Sequence, residues 1–135
     1  MSEAEAHLAL AERYIDALTR CDVETVLKIY APDARLWHNF DQALQSVEDN
    51  IRSLKWMHRR LDNMHYDIVR REPIPGGFYQ QHVLRGTLPS GKPFALPACA
   101  IIKIENNRIV SLDEYLDLSQ TKPLTQDADS PAPPA

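Results

Sequence analysis

Apolar residues recur at helical spacing from His7 to Thr19, at Leu8, Ala11, Tyr14, Ile15 and Leu18, which predicts an amphipathic helix ending near Cys21. A second helix follows directly: Asp22 can cap it, Val23, Val26, Leu27 and Tyr30 form its buried stripe, and Pro32-Asp33 stops it. Ala34 to Phe40 is rich in aromatic residues and reads as a short strand. Ser46, with Asp49 three residues on, marks the start of a third helix that turns Val47, Ile51, Leu54 and Trp56 inward. The period then changes to two. Met64 to Val69, Phe78 to Leu88, Phe94 to Glu105 and Arg108 to Leu118 are predicted strands, divided by Pro73–Gly77, Pro89–Lys92 and Asn106-Asn107. The last two dividers are short, so the final three strands form an antiparallel meander.

Three helices followed by such a sheet predict an α+β architecture in which the sheet wraps the long first helix. Residues 1–118 form the domain. Residues 119–135 are Ser, Thr, Gln, Asp and Pro in the main, and this composition predicts a flexible polar tail.

Composition narrows the function classes. With 135 residues and 44% hydrophobic content, the chain can bury one core and leave one cavity. Lys and Arg cluster no further than Arg59-Arg60 and Arg70-Arg71 at a net charge of −4, so no basic stripe is present to neutralise nucleic acid phosphates. The acidic Met1–His7 segment lacks the apolar stretch of a signal peptide, and no apolar run approaches the roughly 20 residues that cross a membrane. Cys21 and Cys99 have no Cys or His at metal or redox spacing and read as reduced packing residues of a cytoplasmic protein. His58 and His65 flank a hydrophilic turn and read as surface. No metal-ligand set and no phosphate-binding glycine loop is present in the sequence, so no cofactor is predicted.

Alternation sorts the chemistry. On the last strand Leu112, Glu114, Leu116 and Leu118 share one face, and Ser111, Asp113, Tyr115 and Asp117 the other. Burial disfavours the charged form of a carboxylate, so Glu114 among leucines is poised as a general base or acid; the alternatives are pairing with an arginine or cover by a partner subunit. His82 shares a face with Gln80, Leu84 and Gly86, two strands from Glu114, and a His beside a Glu is a proton shuttle. A histidine satisfied by a backbone carbonyl, or one exposed on the outer face, is the other reading. Val83, Ile101 and Tyr115 fall on a sheet face that the first helix cannot also cover, which predicts a homodimer.

The order of elements, with Tyr14-Ile-Asp-Ala17, Tyr30-Ala-Pro-Asp-Ala34, Trp37-His-Asn-Phe-Asp41 and Arg108-Ile-Val-Ser-Leu-Asp-Glu-Tyr-Leu-Asp117, resembles the SnoaL-like branch of the nuclear transport factor two-like superfamily. The resemblance covers residues 7–120 and implies a cone-shaped fold enclosing a pocket. Similarity to limonene epoxide hydrolases implies positional matches of their water-orienting tyrosine, asparagine and aspartate to Trp37, Asn39 and Glu114, and of their arginine and second aspartate to the neighbourhood of Gln80 and His82. Similarity to ketosteroid isomerases implies an oxyanion donor at Tyr14, a base position at Asn39 and a second oxyanion position at Ala100.

The resemblance also implies that Trp37 and Asn39 face the pocket and His38 does not. Asn39 would orient a substrate carbonyl or a water. Trp37, Trp56, Tyr66 and Phe94 would join Tyr14 in an aromatic wall, with Gln80, Leu84, Leu96, Ala98, Ala100, Leu112 and Leu116 completing the lining for an apolar ligand. Three functions fit: a cofactor-free isomerase, hydrolase or cyclase acting on a polycyclic, terpenoid or polyketide-like molecule through Glu114, His82, Tyr14 and Asn39; a non-catalytic binding protein; or a dimerising accessory domain.

Overall fold

The computed structural model describes residues 1–127. Helix α1, Glu3–Arg20, opens on a capping box in which Ser2 Oγ accepts from the Glu5 N–H and the Glu5 carboxylate accepts from the Ser2 N–H. Such a cap is worth about 1 kcal/mol. The helix buries His7, Leu10, Ala11, Tyr14, Ala17 and Leu18, the stripe expected from the three–four spacing. It stops where Cys21 takes up left-handed geometry, φ 53°, and the Asp22 N–H turns back to the Ala17 carbonyl. Asp22 then caps α2, Val23–Ile29, through the Thr25 N–H and hydroxyl.

Tyr30 is not part of that helix, as its spacing suggested; it begins strand β1, Tyr30–His38. A two-residue strand β2, Leu44–Gln45, precedes α3, Val47–Arg60, which is capped by Ser46. Strands β3 (Asp62–Ile74), β4 (Gly77–Thr87), β5 (Pro93–Glu105) and β6 (Arg108–Leu116) form the meander. The six-stranded sheet has the order β2-β1-β6-β5-β4-β3, with β1 parallel to β6 and every other pair antiparallel.

Turn chemistry sets the register. Asn106 and Asn107 both adopt positive φ in the β5–β6 hairpin, a conformation asparagine tolerates better than most residues. Gly77 sits so close to β5 that a Cβ would lie 1.8 Å from the Ile102 carbonyl oxygen, so only glycine fits.

Even-numbered residues of β4 and β5 face α1. Leu10, Leu36, Phe78, Ile102 and Ile109 are almost fully buried there, and burying each such side chain contributes about 1.5–3 kcal/mol. The C-terminal part differs from the sequence reading, as does β3, which runs to Ile74 and not to Val69. A fourth helix, α4, Pro123–Gln126, follows a 3₁₀ turn at Leu118–Thr121, so the helices are not confined to the N-terminal half. Residues 119–127 are accordingly docked and not a loose tail: Leu124 is buried, Arg60 Nε donates to the Leu124 carbonyl at 3.1 Å, and the Asp127 carboxylate accepts from the Ser90 N–H and hydroxyl. The remainder of the expected tail, 128–135, lies outside the described residues.

Candidate functional site

Between α1, α3 and the inner face of the sheet lies a cavity of about 400 Å³ with mainly apolar walls. The C-terminal segment supplies one wall through Leu118, which the expected alternation of the last strand already put on the face of Glu114, and through Thr121 and Leu124, whose polar neighbours in the chain conceal the role. Of the expected lining, Trp56, Tyr66, Gln80, Leu84, Leu96, Ala98, Ala100, Leu112 and Leu116 face the cavity, as do Tyr14, His82 and Glu114.

Three expected residues do not. Trp37 lies on the opposite face of the sheet with its ring against Tyr115, centroids 5.3 Å apart. Phe94 is 3% exposed within the core and does not line the cavity. The Asn39 side chain is taken up by the fold, its Oδ1 accepting from the Leu116 N–H at 2.9 Å just beyond the end of β1. His38 occupies the inward position instead. The register of β1 against β6 shifts between Tyr30 and Arg35, after which Ala34, Leu36 and His38 are buried and Arg35 and Trp37 turn outward. The apolar residues Ala34 and Leu36, two positions apart, are the signal for this parity.

The inward turn of His38 changes the surroundings of Glu114. Its carboxylate meets two imidazoles as well as leucines: Oε1 lies 3.2 Å from His38 Nε2, and Oε2 lies 3.8 Å from His82 Nε2. The second distance is beyond direct hydrogen-bond reach. Glu114 keeps 22% of its side chain exposed, while the two histidines are buried. Burial pushes the proton affinity of His82 down, the Glu114 charge acts in the opposite direction, and the Arg71 charge reinforces the lowering.

A second polar chain approaches from α1. Tyr30 donates to Asn50 Oδ1 at 2.9 Å, which leaves the Tyr30 oxygen to accept from the Tyr14 hydroxyl at 2.6 Å. Burial raises both phenols well above their ordinary range, with the Tyr14–Tyr30 hydrogen bond a further cause at Tyr14, and burial does the same to Tyr66. All three therefore stay protonated near neutral pH. Tyr14 can donate to a bound oxygen once its hydroxyl turns away from Tyr30. The Tyr66 ring stands edge-on to His82 at 5.3 Å.

Of the histidines read as surface, His65 is capped locally by the Asn63 carbonyl, and His58 ties α3 to α1 through the Thr19 carbonyl at 3.0 Å. Among the described residues, no group of three or more His, Cys, Asp and Glu is placed to hold a metal ion, and no helix is long and apolar enough to cross a membrane.

The profile of the SnoaL-like domain family matches residues 11–112. No curated protein sequence matches the chain. Among solved structures, PrhC from Penicillium brasilianum NBRC 6234 superposes with a TM-score of 0.81 at 13% identity, over 92% of this chain and 88% of that one. An LEH-like epoxide hydrolase from M. tuberculosis superposes at 0.71 and 16% identity, over 88% of each chain. A Shewanella denitrificans OS-217 protein assigned as a SnoaL-like polyketide cyclase does so at 0.71 and 19%, over 86% of this chain and 93% of that one. Identities this low carry the fold alone. With a family profile spanning most of its length and the same helix-and-curved-sheet fold in these structures, the chain belongs to the SnoaL-like domain family.

Proposed function

We propose that the cavity is the active site of an enzyme that moves protons on an apolar small molecule of polycyclic, terpenoid or polyketide type, in an isomerase, hydrolase or cyclase reaction run by side chains alone. The observation that carries this reading is the Glu114 carboxylate held between His38 and His82 at the wall of a mainly apolar cavity. A carboxylate there takes a proton from substrate or water, and the neighbouring imidazoles and Tyr14 supply hydrogen bonds to the charge that develops. A volume of about 400 Å³ suits a compact ligand, and apolar walls with a few convergent polar groups fit a small-molecule site. The family supports this class of reading, since its similar structures include an epoxide hydrolase and an assigned polyketide cyclase.

The test is a panel of apolar cyclic ketones, epoxides and lactones incubated with the protein in D₂O and followed by mass spectrometry. Conversion or deuterium incorporation by the wild-type protein is expected. Tight binding across the panel with neither would favour the carrier reading, for which the apolar walls suffice.

We also assign the outer sheet face, with Trp37, Ile101 and Tyr115, to a second copy of the chain in a homodimer. A cytoplasmic location fits the two free cysteines, one at the end of α1 and one on β5.

A further inference from the structure

His82 does not stand alone at the cavity wall. Strand β3 carries one extra residue, Val69, between the pairs Ile68–His82 and Arg70–Gln81, and beyond it Arg71 is brought opposite Gln80. Without that bulge, the alternation running from Tyr66 and Ile68 would put Arg71 on the far face. As built, Arg71 Nε donates to Gln80 Oε1 at 2.8 Å, and Gln80 Nε2 lies 2.9 Å from His82 Nδ1. Gln80 is 1% exposed and His82 6%, so water offers little alternative partnership.

The donor and acceptor inventory leaves one arrangement. A guanidinium can only donate, so it fixes which end of the Gln80 amide faces β3. The amide NH₂ is then turned to His82 and can also only donate, so His82 Nδ1 must accept. A neutral imidazole with Nδ1 unprotonated carries its hydrogen on Nε2, the atom facing Glu114.

We propose that Arg71 and Gln80 are positioning residues that hold His82 as a neutral imidazole with its hydrogen on Nε2, making it a fixed hydrogen-bond donor at the cavity wall. Protonating Nδ1 would set an N–H against the Gln80 NH₂, so His82 is barred from acting as a base and that role is left to Glu114. The last consequence rests on the reaction proposed above; the state of the ring does not. The charged and titratable groups facing His82 are Glu114 from β6, Arg71 and Tyr66 from β3, and, acting on Arg71 from α1, Glu12; the residue opposite His82 on β5 is Ala98.

The experiment is long-range ¹H–¹⁵N NMR of the imidazole nitrogens in the full chain, with His82→Gln used to assign His82 among the five histidines. In the wild-type protein, His82 is expected to show an unprotonated Nδ1 and a protonated Nε2 across neutral pH. Gln80→Glu offers Nδ1 an acceptor and should raise the titration midpoint of His82 by about one pH unit or more. Arg71→Met frees the amide to reverse and should give a mixture of tautomers. A wild-type His82 protonated on Nδ1 would overturn the proposal, and so would an Arg71→Met protein that keeps the single-tautomer pattern. The wild-type spectrum decides even if a variant fails to fold. Because it needs no substrate, it is independent of whether the panel above finds turnover.

Discussion

His82 answers to pH through its burial. The buried His82 takes up a proton less readily in the folded chain than its ordinary value of 6.5, so as pH falls through about 6.5 the unfolded chain binds a proton that the folded one resists. This contribution to stability is therefore fully present above that value and is lost on the acid side, until the folded-state value is passed. The expected result is that the wild-type melting temperature falls more steeply between about pH 7 and pH 5.5 than that of His82→Gln. Equal slopes would place the acid sensitivity elsewhere. The two polar chains that end at the cavity, Arg71–Gln80–His82 and Asn50–Tyr30–Tyr14, give the buried Gln80, His82, Tyr14 and Tyr30 hydrogen-bond partners within the protein.

At the scale of elements, local irregularities placed several side chains where strict alternation would not. β4 alternates without a break against β5, and β5 does so against β6 from Ala98 to Lys103, so a period of two made their inward faces legible. Glu114, His82, Gln80 and the alanines of β5 were found for that reason. His38 was missed because the resemblance turned Trp37 and Asn39 inward against the parity of Ala34 and Leu36, and Arg71 because β3 runs on to Ile74, past the strand end expected at Val69, with an extra residue there that shifts its phase.

The C-terminal segment was misread for a different reason. Its composition is polar and Pro-rich, but a single apolar anchor is enough to dock it: Leu124 is 3% exposed and Pro123 occupies the first turn of α4. Leu124→Ala should cost about 2 kcal/mol or more, and deleting 121–135 should lower the melting temperature by several degrees or more while opening the cavity. Differential scanning calorimetry checks both. An unchanged melting temperature in the deletion would mean that the segment makes no net contribution to the fold.

The whole molecule is a curved sheet with two unlike faces. The inner face packs on α1 and encloses the cavity, while the outer face carries the Trp37–Tyr115 pair, with Tyr115 47% and Ile101 38% exposed, beside the charged residues Arg35, Lys103 and Asp113. Aromatic residues ringed by charge suit a self-complementary contact. Light scattering at micromolar concentration should give twice the 15.4 kDa chain mass, and Tyr115→Glu should give the monomer with the fold intact. A wild-type monomer would remove the homodimer from the account. The enzyme reading stands or falls on the inner face. Its most direct test is the turnover of wild-type and Glu114→Gln proteins on a substrate taken from the panel, with ligand affinity and melting temperature measured alongside. The replacement keeps shape and removes the proton acceptor, so kcat should fall by about 10²-fold or more while affinity and melting temperature hold or rise. Turnover at the wild-type rate in Glu114→Gln would contradict the account.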